Sequence, residues 1–312
     1  MNKFIILADV TCDLSEALRE QFGIKDYIRG YVHFSDGRDL RTSLDWSEVT
    51  RESFYRDLSD KKMKITTAPA SPEEYYETFR RYAEEGYDVL SMSISGGVST
   101  TYASAKRAID RVAAEFPERK LYALDSERMS GGFGLLVLYA HALQSEGKSI
   151  DEVIETIEGM RQRVHQMGPI DDLMFVARRG RISTGKAILG SFAGVKPMGD
   201  CNADGYVTVL AKAKGMKKAL AVTTAYIERT AKGIENQYVL ITHSNREEYA
   251  EQLRALIEAR LNPRAVFVSD VFAASGGNIG PGMVCAYFLG APLSPDGEQE
   301  KENMNLALEA CK

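Results

Sequence analysis

Short apolar runs alternate along the chain with stretches in which apolar residues return at every third or fourth position. The runs at residues 4–8, 88–94 and 121–125 are each followed by such a stretch, at 14–22, 101–116 and 132–143. That rhythm predicts strand–helix units around a mostly parallel sheet. Within residues 101–116, Ala105, Ile109, Val112, Ala113 and Phe116 share one helical face and leave Lys106, Arg107, Asp110 and Arg111 for solvent.

Two segments depart from the rhythm. Residues 27–34 read as an added strand closed by Ser35-Asp36-Gly37, and Asn202-Ala203-Asp204-Gly205 has the chemistry of a hairpin turn. A helix expected over residues 150–167 is followed by Gly168-Pro169, which sets a boundary there. The expected organisation is an N-terminal α/β domain over residues 1–168 and a smaller α/β domain with a mixed sheet over 169–290. The second holds the hairpin, helices at 216–230 and 246–260, and strands at 238–243 and 265–270. Residues 291–312 are polar and read as a loosely held tail or a late helix.

Composition narrows the class. A chain of 312 residues with 44% apolar content can bury a full core. The formal charge is −5, with basic residues scattered among acidic ones, so a nucleic-acid partner is not expected. Cys12, Cys201, Cys285 and Cys311 lie far apart without CxxC spacing, which signals neither zinc nor a disulfide framework and fits a reducing cytoplasm. The apolar run at residues 4–8 is too short for a signal peptide and no run reaches spanning length, so neither secretion nor membrane insertion is expected.

Ligands of open α/β sheets gather where strands end and helix N-termini offer unpaired N–H groups. The loop Ser95-Gly96-Gly97-Val98-Ser99-Thr100-Thr101 combines a glycine pair, which lets backbone approach a ligand, with three hydroxyls at a helix start. It suits a carboxylate or phosphate, although Ser99 or Thr100 read equally well as a plain N-cap. Two other strands end in Asp9 and in Asp125-Ser126. Those carboxylates either serve an enzyme or cap their own loops.

The segment Gly180-Arg181-Ile182-Ser183-Thr184-Gly185-Lys186-Ala187 has P-loop spacing. It lacks the hydroxyl residue after the lysine, and Arg178-Arg179 stand where a buried strand is required. His33, His141, His165 and His243 show no metal spacing, and His141 on an apolar helix face reads as core. No GxSxG elbow is present. Lys212, Lys214, Lys217 and Lys218 surround a strand-to-helix junction, either a solvated face or a surface for an acidic partner.

In order across about residues 5–290, these segments resemble the DegV family. Asp9-Val10-Thr11-Cys12-Asp13-Leu14 resembles its T-D-S-x-x-D-L opening, and Thr66-Thr67-Ala68-Pro69-Ala70-Ser71-Pro72-Glu73 its T-S-x-P-S-P-E loop. Val98-Ser99-Thr100-Thr101-Tyr102-Ala103-Ser104-Ala105 is similar to L-S-G-T-Y-x-S-A, and Asp125-Ser126 with Ser130 and Gly132 to D-S-x-x-x-S-x-G. Gly180-Arg181-Ile182-Ser183, Lys196-Pro197 and Gly280-Pro281-Gly282 resemble its G-R-I-S, K-P and G-P-G elements.

The resemblance implies a long-chain fatty acid in a slot between two domains, its carboxylate held by Ser99 and Thr67, with Gly97, Thr100, Ser126 and Asn278 as further ligand-binding candidates. It implies a carrier without catalysis, metal or cofactor of its own, and residues 187–195, small and apolar, read equally well as a lining of the acyl slot and as an ordinary packed helix. In some members a separate fatty acid kinase phosphorylates the bound acid. Arg181, Lys214 and Asn278 are the docking candidates here, but Lys214 stands for the family's arginine, Asn278 for its histidine and Thr100 for a glycine. A lysine cannot reproduce a bidentate guanidinium and an asparagine cannot titrate, so the resemblance supports lipid binding more than kinase docking. The alternative is a stand-alone phosphotransferase or hydrolase using Gly180, Lys186, Asp9 and Asp125.

Overall fold

A computed structural model describes residues 3–182 and 194–312. Four parallel strands form the first sheet, in the order Tyr27–Ile28, Phe4–Asp9, Asp88–Ser93, Leu121–Asp125. Strand alternation divides its apolar residues between two cores. Leu7, Val89 and Ala123 pack with Tyr75, Phe79, Ile109 and Val112 of the helices Pro72–Glu84 and Thr101–Glu115. Ile6, Ala8, Leu90, Met92 and Leu124 face Phe133 and Leu136 of the helix Gly131–Ser145. That helix is buried nearly all round because its far side meets Leu240, Tyr287 and Leu289 of a second sheet.

The second sheet is mixed. Its order is Ala265–Asp270, Tyr238–His243, Val284–Leu289, Val164–Met167; the first pair is parallel and the other two are antiparallel. Helices Met216–Thr230 and Glu247–Leu261 cover its outer face through Leu220, Ile227, Leu253 and Ile257. The antiparallel hairpin Val195–Cys201 and Val207–Lys214 turns at residues 202–205, where Gly205 has φ +78°. A small antiparallel sheet, Asp39–Arg41, Tyr31–Phe34 and Ile65–Ala68, completes the first half.

Three elements differ from, or decide between, the sequence-based expectations. The helix expected over residues 150–167 ends at Arg161, and Val164–Met167 is an edge strand of the second sheet. Gly168 explains the tight pairing there, because a Cβ would sit 1.9 Å from the Val284 carbonyl oxygen. The single strand expected over 27–34 is two strands, parted at Gly30, whose N–H donates to Thr42 Oγ1 (2.8 Å). Of the two readings of the C-terminal residues, the helix is observed: Glu298–Ala310 buries Met304 and Ala307. Among the described residues no helix is long and apolar enough to cross a membrane.

Candidate functional site

A cavity of about 500 Å³ lies between the strand ends of the first half and the second sheet with its hairpin. Its volume falls within the roughly 300–1,000 Å³ of small-molecule sites. Its lining includes the hydroxyls of Thr67, Ser99, Thr100, Thr101 and Ser275 and the amide of Asn278. Ile170, Leu173, Val176, Val207, Val209 and Ile279 supply an apolar wall. Such a cavity matches an amphiphile: a polar head and a long apolar body.

Thr67 belongs to the strand Ile65–Ala68, and its Oγ1 accepts from Asn278 Nδ2 at 3.0 Å. Asn278 rides on the helix Ala273–Ile279, whose small residues permit the approach; a Cβ on Gly277 would lie 2.8 Å from Thr67 Cγ2. Ser99 precedes the helix Thr101–Glu115. Its Oγ accepts from the Thr101 N–H (3.2 Å) and lies 2.7 Å from Thr101 Oγ1. Thr100 occupies the cap position without a side-chain cap bond, so the hydroxyl that steadies this turn comes from Ser99, which also lines the cavity.

Gly96 and Gly97 line the cavity, yet the close approach read from the glycine pair is made by protein. A Cβ on Gly96 would meet Asp125 Oδ2 at 2.7 Å, and one on Gly97 the Asp204 carbonyl oxygen of the hairpin turn at 2.8 Å. Ser126 stands away from the cavity wall. Its buried Oγ donates to the Arg128 carbonyl (3.0 Å) and accepts from the Arg128 N–H (3.2 Å), shaping the loop that brings Met129 and Ser130 to the cavity instead. Arg181 lines the cavity and its guanidinium donates to the Arg179 carbonyl. Lys214 is exposed at the end of the hairpin and is not part of the lining. Ser183, Thr184, Gly185 and Lys186 of the P-loop-like segment, and residues 187–193 of the expected acyl-slot stretch, lie outside the described residues.

The strand-end carboxyls act on backbone. Asp9 Oδ1 accepts from the Thr11 N–H (2.9 Å) and Oδ2 from the Ile94 N–H (2.8 Å), while burial raises its pKa. Asp125 accepts from the N–H groups of Gly96 (3.1 Å) and Glu127 (2.9 Å). Among the described residues no group of His, Cys, Asp and Glu is placed to hold a metal ion.

Sequence reasoning assigned no role to Asp13, Gln166, Ser275 or Tyr287. Asp13 is fully buried beneath the cavity, accepting from Ser130 Oγ (2.6 Å) and the Phe272 N–H (3.0 Å); burial pushes its pKa up to about 8. The available signal was its place at the end of the first strand-end loop.

A second buried network backs the cavity wall. Asp200 Oδ2 lies 2.7 Å from His165 Nδ1 and accepts from the Tyr226 hydroxyl (2.8 Å), while Oδ1 accepts from the N–H groups of Gln166 (2.8 Å) and Cys201 (2.7 Å). Burial alone would lower the His165 pKa, but the Asp200 charge and hydrogen bond, with the Ala291 carbonyl, raise it. His141 is packed in the core, where burial pulls its pKa to about 4.

The family model described as uncharacterised protein, DegV family, matches residues 3–290. A DegV domain-containing protein of Clostridium perfringens is 30% identical over 295 residues, covering 95% of this chain and 100% of that protein. Among solved structures, a DegV family protein from Thermus thermophilus, described by its fatty acid binding, superposes with a TM-score of 0.82 at 29% identity. The match covers 93% of this chain and 100% of that one. DegV from Bacillus subtilis, described as a fatty acid binding protein, gives a TM-score of 0.77 at 25% identity over 93% and 100% of the two chains.

Proposed function

Because this chain belongs to the DegV family, we propose that it binds one long-chain fatty acid in the cavity and performs no chemistry on it alone. The carboxylate lies against Ser99 and Thr67, with Thr100, Asn278 and the Gly97 backbone beside it, and the acyl chain runs along the Ile170, Val176 and Val209 wall. The observation that carries this reading is one cavity whose lining joins the hydroxyls of Ser99, Thr100 and Thr101 at a helix N-terminus with many apolar side chains. The fatty acid binding ascribed to the Thermus thermophilus and Bacillus subtilis proteins supports it. Presentation of the acid to a partner kinase would draw on Arg181 and Asn278, which line the cavity, more than on Lys214, which does not. A stand-alone hydrolase or phosphotransferase draws no support from Asp9 and Asp125, whose oxygens serve backbone N–H groups.

Ser99→Ala and Thr67→Val are each expected to weaken fatty-acid binding by about 1.5–3 kcal/mol, the range for a hydrogen bond to a charged group. If Ser99 only steadies its turn, Ser99→Ala would instead cost roughly 0.5–2 kcal/mol of stability and leave affinity alone. Titration and denaturation of delipidated protein separate the two, since bound lipid raises apparent stability by mass action. Val209→Trp tests the acyl wall. Val209 is half-buried on the cavity side, so an indole there takes up chain space, and binding should fall by about 100-fold, or roughly 2.7 kcal/mol. Unchanged affinity in Val209→Trp would place the chain elsewhere.

A further inference from the structure

Gln166 is a polar residue in the lining of this cavity. In the edge strand Val164–Met167 alternate side chains face opposite ways: Met167 joins the core under the outer helices, whereas Val164 joins the core shared with the first sheet. Gln166 follows Val164 and lines the cavity, opposite Tyr287 in the strand register. Met198, Cys285 and Tyr287 line the same cavity.

The residue is only 8% exposed. Its backbone N–H is fixed by Asp200 Oδ1 at 2.8 Å, but its side-chain amide has no hydrogen-bond partner among the described residues. Buried amides almost always have partners, and one left unpaired is costly. An unsubstituted alkyl chain filling the cavity would exclude water and leave the carboxamide orphaned. A hydroxyl or keto oxygen on the chain would pair with it, because the amide offers both an acceptor oxygen and a donor NH₂.

We propose that Gln166 recognises an oxygen substituent on the acyl chain, so that the preferred ligand is a hydroxy or oxo fatty acid rather than a plain saturated one. The inference rests on the fatty-acid reading of the cavity and refines its ligand class. A site built to bond a substrate oxygen discriminates against the analogue lacking it more sharply than an apolar pocket discriminates one methylene.

The test is a competition titration of delipidated protein with stearic acid against positional isomers of hydroxystearic and oxostearic acid, in the wild type and in Gln166→Leu and Gln166→Met. The wild type should bind at least one substituted isomer about tenfold or more tightly than stearic acid. Both variants should lose that preference while binding stearic acid at least as well. Stearic acid bound as tightly as every substituted isomer would overturn the proposal, as would a preference that survives in a folded variant. Equal loss of all acids in the variants would also overturn it, by assigning the amide to the carboxylate. Failure of the wild type to bind any acid would instead remove the fatty-acid reading itself.

Discussion

Asp200→Ala is expected to lower the unfolding free energy by about 3–5 kcal/mol, the cost of breaking a buried charge pair from one side. One buried carboxyl group organises four partners, the His165 ring, the Tyr226 hydroxyl and the N–H groups of Gln166 and Cys201. These join the edge strand, the hairpin and the helix Met216–Thr230, the elements that shape the second half of the cavity. Alanine removes the acceptor from every one of those donors, and all four residues are buried. Against a typical total of about 5–15 kcal/mol, the loss is a large share. Asp200→Asn, which keeps an acceptor oxygen, should cost less. Urea denaturation of ligand-free protein measures both, and a cost under about 1 kcal/mol for the alanine variant would show that the network holds little.

The second large effect concerns pH. The Asp13 pKa is raised from 3.8 to about 8 by burial, with Asp9 adding to the rise and the bonds from Ser130, Ser275 and Phe272 opposing it. Between those two values the folded chain holds a proton that the unfolded chain has released, so the stability that Asp13 contributes is full below about pH 4 and declines as pH rises towards 8. At about 1.4 kcal/mol per pH unit, the contribution lost by pH 7 is on the order of 4 kcal/mol. Raised His165 acts in the same direction: its contribution is present below its unfolded pKa and lost as pH rises through the folded one. Asp13→Asn isolates the carboxyl, because asparagine copies the neutral acid and can still accept from the Phe272 N–H. The variant should match the wild type near pH 4 and exceed it by several kcal/mol near pH 8. Parallel stability curves for the two proteins would mean that Asp13 is ionised in the folded state.

Much of the architecture was legible because its pattern is local. The strands Tyr238–His243 and Ala265–Asp270 and the helix Met216–Thr230 fall where the apolar rhythm put them, and the turn at residues 202–205 follows from its Asn, Asp and Gly. The ordered motifs across the chain likewise pointed to the family that matches residues 3–290. The edge strand Val164–Met167 falls within the helix expected over residues 150–167, where Val153, Ile157, Met160, Val164 and Met167 keep helical spacing. Pairing with Val284–Leu289, more than a hundred residues on in sequence, overrides that phase, and local periodicity cannot register it.

The site divides the same way. Ser99 is marked by its hydroxyl at a helix start and Thr67 by the family resemblance, and both line the cavity. Gly97 shows that a glycine pair reveals close approach without revealing what approaches, here the Asp204 carbonyl. Gln166, Met198 and Tyr287 reach the cavity only through the packing of the second sheet against the first half, so no short motif marked them.

The central claim is that this chain carries a fatty acid. Native mass spectrometry of the purified protein, followed by denaturation and identification of what is released, tests it most directly. One bound molecule of fatty-acid mass per chain, lost on unfolding and much reduced in Val209→Trp, is the expected result. A protein that is isolated empty and takes up no long-chain acid when offered one would contradict the account.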